Sequence, residues 1–292
     1  MALSEFKTLV RARFEQLQDL PMLSETTRRI LELRARPEPQ ITALAKLIEL
    51  DPSLSAQVIR YARSSLFGYR GKIDSVEAAM ARVLGYDAVL NLALGLAAAK
   101  PFKIPKNGPL GAEAYWLRSV RCAILTQALC HALPTPHTCS ASFAYLAGLL
   151  HEFGYLALGH LYPQEYAKLN SMLLQNPHLD IVQNECELFG ISHTEAGARV
   201  LRHWDLPDEI IVANLKHTDP LFTGIHSHYV QLIQLANQLL NFDDEEPNSV
   251  AERIAVTTIE RLGLELALVE KIANQIIPSF SDINSMVRQL AA

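Results

Sequence analysis

Histidines beside carboxylates are the residues in this chain whose types and spacing could do chemistry. The chain has 10 histidines. Among them are His151-Glu152, His193 with Glu195 two residues on, His203, and His217 with Asp219. Neighbouring positions on a helix point about 100° apart, so a His-carboxylate pair can flank one cavity and offer it a nitrogen and an oxygen. Such donors suit a divalent cation, and a cation suits activation of water. His151-Glu152 follows the apolar run Phe143–Leu150, and a charged pair leaving such a run must be paired, ligated or at a helix end. Glu185 and Glu187 lie close enough in sequence to His193 and Glu195 to suggest a second cluster.

The elements that must hold these residues read as helices. With 49% apolar and 20% charged residues in 292 positions, a large core is available. Apolar residues recur at helical spacing nearly everywhere, and no stretch alternates long enough for a sheet. Ser24, Asp51 (followed by Pro52) and Ser75 are N-cap candidates, and Gly85 is a helix stop. Pro101–Gly111, with three prolines and two glycines, is the best linker. Beyond it, helices are expected at about 112–131, 141–160, 163–175, 178–188, 193–203, 207–217 and 227–241. The acidic run Asp243–Glu246 before Pro247 is a second break. The expected organisation is all-α, with an N-terminal helical lobe over 1–105, a second helical lobe over 106–241, and a helical tail over 249–292 packed on them.

The net charge of −5 gives no broad basic footprint, so neither nucleic acid nor an anionic membrane is expected as a partner. The polar N-terminus and the absence of a long apolar run lead us to expect a cytoplasmic protein with no leader or spanning segment. Cys122, Cys130, Cys139 and Cys186 fit neither a zinc knuckle nor a CxxC pair and read as structural thiols.

Several segments, taken in order, resemble the HDOD family, relatives of the HD-superfamily phosphohydrolases. Gly148-Leu-Leu-His-Glu-Phe-Gly154 is similar to the family's Gly-Leu-Leu-His-Asp-Ile-Gly. Leu20-Pro-Met-Leu23, Ile48-Glu-Leu-Asp-Pro-Ser-Leu54 and Ile73-Asp-Ser-Val-Glu-Ala-Ala79 precede it in the family's order. So do Leu84-Gly85 and Trp116-Leu-Arg-Ser119, while Arg63-Ser64 stands where the family has Asn-Ser. Glu187–Gly197, Trp204-Asp-Leu-Pro207 and His217 follow it. The resemblance covers about residues 20–240 and implies a two-lobed helical fold.

It also implies an audit of the site. A catalytic HD-superfamily enzyme holds Mn, Mg or Fe with a His, an adjacent His-Asp and a later Asp. Aligned on the motifs, those positions are Arg118, His151-Glu152 and Asn237. One matches, one is altered and two are replaced. A guanidinium has no lone pair to give a metal and repels it. The resemblance therefore implies a degraded site without metal or cofactor, in a signalling protein that acts through other proteins. Arg118 is expected to pair with Glu152. Two further readings stay open. One is a metal-dependent phosphohydrolase with His151, Glu152, His193 and His217 as ligands and Arg118 on the substrate phosphate. The other is a nucleotide second-messenger module in which Arg118, His151 and His193 bind the anion.

Overall fold

The computed structural model describes residues 3–16, 19–134, 139–240 and 254–281, with 284, 287 and 288. Among these residues every regular element is helical. The acidic run over 243–247 lies outside them.

Local chemistry sets the helix ends. Helix α1 spans Leu3–Gln16 and α2 Glu25–Arg34; the Ser24 hydroxyl accepts the Thr27 N–H to start α2. Helix α3 runs Ile41–Glu49 and α4 Pro52–Ala62, where Asp51 accepts the N–H groups of Ser53 and Leu54. Ser75 caps the short α5, Val76–Ala79, through the Ala78 N–H. The chain then widens into a single π-turn over Met80–Leu84. It stops at Gly85, whose φ of +78° suits glycine alone. Helix α6, Tyr86–Ala99, is buried at every position from Val89 to Ala99 and forms the centre of this half.

The expected linker is a packed strap. Phe102 is buried, with ring centroids 5.3 Å from Phe153 and 6.0 Å from Trp204. Leu110 is buried too, and its carbonyl accepts the Tyr166 hydroxyl at 2.8 Å. One apolar cluster therefore runs without interruption from Val10 and Phe14 through both halves.

The second half contains α7 (Ala112–His131), α8 (Ala141–Leu150), α9 (Phe153–Leu161) and α10 (Pro163–Gln175). It continues with α11 (Ile181–Leu188), α12 (His193–His203), α13 (Asp208–Lys216) and α14 (Ser227–Leu240). Two expectations need correction. The helix expected from 178 starts at Ile181, because Asp180 accepts the Gln183 N–H as its cap. The single helix expected over 141–160 is two helices that break at His151-Glu152. The amide of Asn214 on α13 donates to the carbonyls of Leu150 (2.8 Å) and His151 (2.9 Å). In a continuous helix those two oxygens would accept from Gly154 and Tyr155. Here Tyr155 N–H goes to Glu152 instead.

The tail helices α15 (Val256–Leu262) and α16 (Leu266–Ile276) pack on α14 and α7. Ile259, Leu262, Val269 and Ala273 are buried. Among the described residues no helix is long and apolar enough to cross a membrane.

Close approach of α9 to α12 fixes the site. A Cβ at Gly154 would overlap the His193 carbonyl oxygen and lie 2.8 Å from the Gly197 nitrogen. Both obstacles are backbone or tied to it, so neither can yield cheaply. Gly154→Ala gains about 1 kcal/mol of helix propensity. It should nonetheless lower stability by about 3 kcal/mol or leave the chain unfolded, measured by urea denaturation.

Candidate functional site

The break at 151–152 sends two adjacent side chains in different directions. Glu152 turns toward α7. There the Arg118 Nε–H donates to both of its oxygens, at 3.0 and 2.8 Å. Nη1 of Arg118 donates to the Pro109 carbonyl at 2.6 Å, so the strap also fixes the guanidinium. The Glu152 side chain is 14% exposed and that of Arg118 35%. Burial alone would raise the Glu152 carboxyl. The charges of Arg118, His151 and His193 outweigh it and hold the group below the ordinary carboxylate range. The expected pairing of Arg118 with Glu152 is thus present.

His151 turns inward and meets two other buried histidines. Its ring centroid lies 5.0 Å from that of His217, and His217 lies 5.4 Å from His193. Each is oriented by its Nδ1. His151 Nδ1 donates to the Gly148 carbonyl at 2.7 Å and His217 Nδ1 to the Asn214 carbonyl at 2.8 Å. A carbonyl can only accept, so both nitrogens carry hydrogen. His193 is the first residue of α12, behind a capping box formed by Ser192 and Glu195. Its backbone N–H and its Nδ1 both meet the fully buried Glu185 carboxylate, at 2.8 Å each. Tyr155 stacks on its ring at 4.2 Å.

Nε2 of His193 and Nε2 of His217 are 3.4 Å apart. His217 presents a lone pair there, because its hydrogen is on Nδ1. The result is a buried chain from Glu185 through His193 to His217.

The arrangement does not fit a divalent metal. Among the described residues no group of three His, Cys, Asp or Glu side chains is set to hold one. The Glu152 carboxylate is occupied by the Arg118 cation. The structure gathers His151, His193 and His217 as sequence spacing could not, and it keeps Glu152 with Arg118. Asn237 lies partly buried on α14, and no hydrogen bond among the described residues ties it to this group. The suggested second cluster dissolves. Glu195 caps α12, Glu187 is on the surface accepting from Gln183, and only Glu185 meets His193. Asn214 and Tyr155 went unnoticed in the sequence; an amide inside the apolar run Ile210–Leu215 was the one signal for Asn214.

Comparison with known proteins bears on the family and the fold. Residues 20–220 match the HDOD domain. A protein of Marinobacter aquaeolei VT8, named as a candidate signal transduction protein, is 31% identical. Its structure superposes with a TM-score of 0.81 over 97% of this chain and 65% of its own length. An HDOD domain protein of unknown function from Geobacter sulfurreducens is 23% identical, with a TM-score of 0.74 over 99% of both chains. An uncharacterized protein of Treponema pallidum (strain Nichols) is 23% identical over 237 residues, 80% of this chain. This chain spans 44% of the length of that relative.

The buried imidazoles make stability depend on pH. Burial pulls His151 below its ordinary 6.5. Burial, then the charges of His151 and His193, pull His217 far below it. The unfolded chain takes up protons below 6.5 that the folded chain refuses, so stability falls as pH falls. Each histidine contributes a slope of up to about 1.4 kcal/mol per pH unit. Urea midpoints should drop between about pH 7 and about pH 5. His217→Gln should flatten that slope, and an unchanged slope in the variant would contradict the assignment.

Proposed function

Because this chain belongs to the HDOD domain family, we propose that it is a regulatory protein of bacterial signalling. In this reading it works in the cytoplasm by binding other proteins and does not turn over phosphoesters. The observation that carries the reading is the Arg118–Glu152 ion pair. It occupies two of the positions where the resemblance to HD-superfamily enzymes implies a metal-holding His and Asp.

Electrostatics support it. A divalent cation needs carboxylates to offset its charge, and here the carboxylate is already offset. At roughly 4 Å and an effective dielectric of about 20, each unit of like charge costs about 4 kcal/mol. A dication beside the pair meets that cost twice over from Arg118, which offsets the attraction of Glu152 and leaves no net gain. With the catalytic chemistry gone, the role left to the fold is that of a rigid surface. Leu221 and Ile225 (76% and 81% exposed), on the loop that follows His217, are apolar contacts a partner protein would take.

One observation favours a second reading, a nucleotide-binding module. Nη2 of Arg118 is buried and has no hydrogen-bond partner among the described residues. The phosphate of a nucleotide would satisfy it.

Both readings predict that the purified chain hydrolyses neither a generic phosphodiester nor nucleotides when supplied with Mn²⁺, Mg²⁺ or Fe²⁺. Metal-dependent turnover that disappears in His151→Ala would overturn both. Calorimetric titration with mono-, di- and cyclic dinucleotides separates them. Heat without product selects the binding module, and silence selects the protein-binding reading.

A further inference from the structure

A second arginine lies far from Arg118 in sequence and is half-buried, with no carboxylate at ion-pair distance among the described residues. Arg34, the last residue of α2, lays its guanidinium over the Phe143 ring at 4.4 Å. Nη1 donates to the Asn91 side-chain oxygen at 2.7 Å, and the Asn91 amide donates on to the Ser142 carbonyl at 2.8 Å. Nη2 is buried with no hydrogen-bond partner among the described residues, and so is the hydroxyl of Tyr86. No Asp or Glu oxygen among them comes within ion-pair distance of Arg34.

Arg34, Tyr86, Asn91 and Phe143 line one cavity of about 250 Å³, with Arg36 and Asp87 on its wall. Three elements meet there: the end of α2, the start of α6 and the first turn of α8. The opposite end of α8 carries His151.

A guanidinium is a forked donor that burial strips of water. Leaving one arm unpaired costs the desolvation of that group. The usual cure is a carboxylate at ion-pair distance, and here Asp87 and Glu209 act on the guanidinium only from farther away. The fork is nevertheless pre-set by Phe143 and Asn91, so little entropy is lost when an acceptor arrives. The cavity holds a small group, and its two unpartnered donors are an N–H and an O–H. Both call for an acceptor that brings negative charge. Arg36 adds a second cation and Asp87 removes one, leaving the wall one positive charge in excess.

We propose that this cavity is a binding site for a small oxyanion, the phosphate or carboxylate group of a ligand, held by Arg34 and Tyr86. The bound anion ties α2 and α6 to the start of α8. Loss of solvation lowers the Arg34 guanidinium to about 10, against the charges of Asp87 and Glu209, which act to raise it.

Thermal unfolding of the full chain tests the site, with inorganic phosphate, acetate and chloride titrated at matched ionic strength. The expected result is a saturable rise in Tm with phosphate or acetate and none with chloride. Phosphate alone identifies a phosphoryl ligand, and acetate alone or both identify a carboxylate-sized acceptor. Arg34→Gln should weaken the effect about tenfold or abolish it, and Tyr86→Phe should weaken it several-fold. Should Arg34→Gln not fold, Tyr86→Phe carries the test, since it removes one oxygen and leaves the ring. The proposal is overturned if chloride acts equally, if no anion stabilises the chain, or if the effect persists in the variants.

Discussion

Two hydrogen bonds from one buried amide set the geometry on which the site depends. Asn214 takes the carbonyls of Leu150 and His151 out of the helical ladder, and α8 ends there. Without that break, His151 and Glu152 would follow one another around a continuous helix, about 100° apart. With it, Glu152 reaches Arg118 on α7 and His151 faces His193 and His217. Gly154 then lets α12 approach closely enough to bring His193 into the group. Both Nδ2 hydrogens of this buried amide are used on those carbonyls, while its Oδ1 is buried with no hydrogen-bond partner among the described residues.

Two partnered carboxylates follow from this geometry. Arg118 cancels Glu152, and Glu185 meets the backbone N–H and the Nδ1 of His193. A buried carboxylate is tolerated only when matched in this way. Among the described residues no carboxylate without such a partner faces the histidines. The His-carboxylate pairing that first suggests metal chemistry is therefore used here to hold helices together.

Much of the fold was legible in the sequence because it rests on local signals. Ser24, Asp51-Pro52, Ser75 and Gly85 act where their cap and stop chemistry places them. The helices over 112–131, 163–175 and 193–203 follow their apolar periodicity. Failures came where a distant residue decides. Periodicity runs unbroken through Leu150–Phe153, and only Asn214, more than sixty residues on, breaks it. Proline and glycine content marked Pro101–Gly111 as a linker, but Phe102 and Leu110 bind it to the core. At the site, the resemblance put Arg118 beside Glu152, and their opposite charges then implied the pair. Spacing alone could not group the three histidines, which needs the packing of α9, α12 and α13; the resemblance placed His151, His193 and His217 together only in its metal-dependent alternative. Nothing in sequence spacing tells Glu185, which meets His193, from Glu187, which faces water.

The central claim is that an internal ion pair stands where a metal would be held. A cation bound by the folded chain alone must raise its stability, by an amount that grows with the logarithm of its concentration above Kd. Thermal unfolding of the full chain during a Mn²⁺ titration, with Mg²⁺ and chelator as references, reads this directly. The account predicts a Tm that does not respond to Mn²⁺. A saturable rise in Tm that is lost in His151→Ala would contradict it.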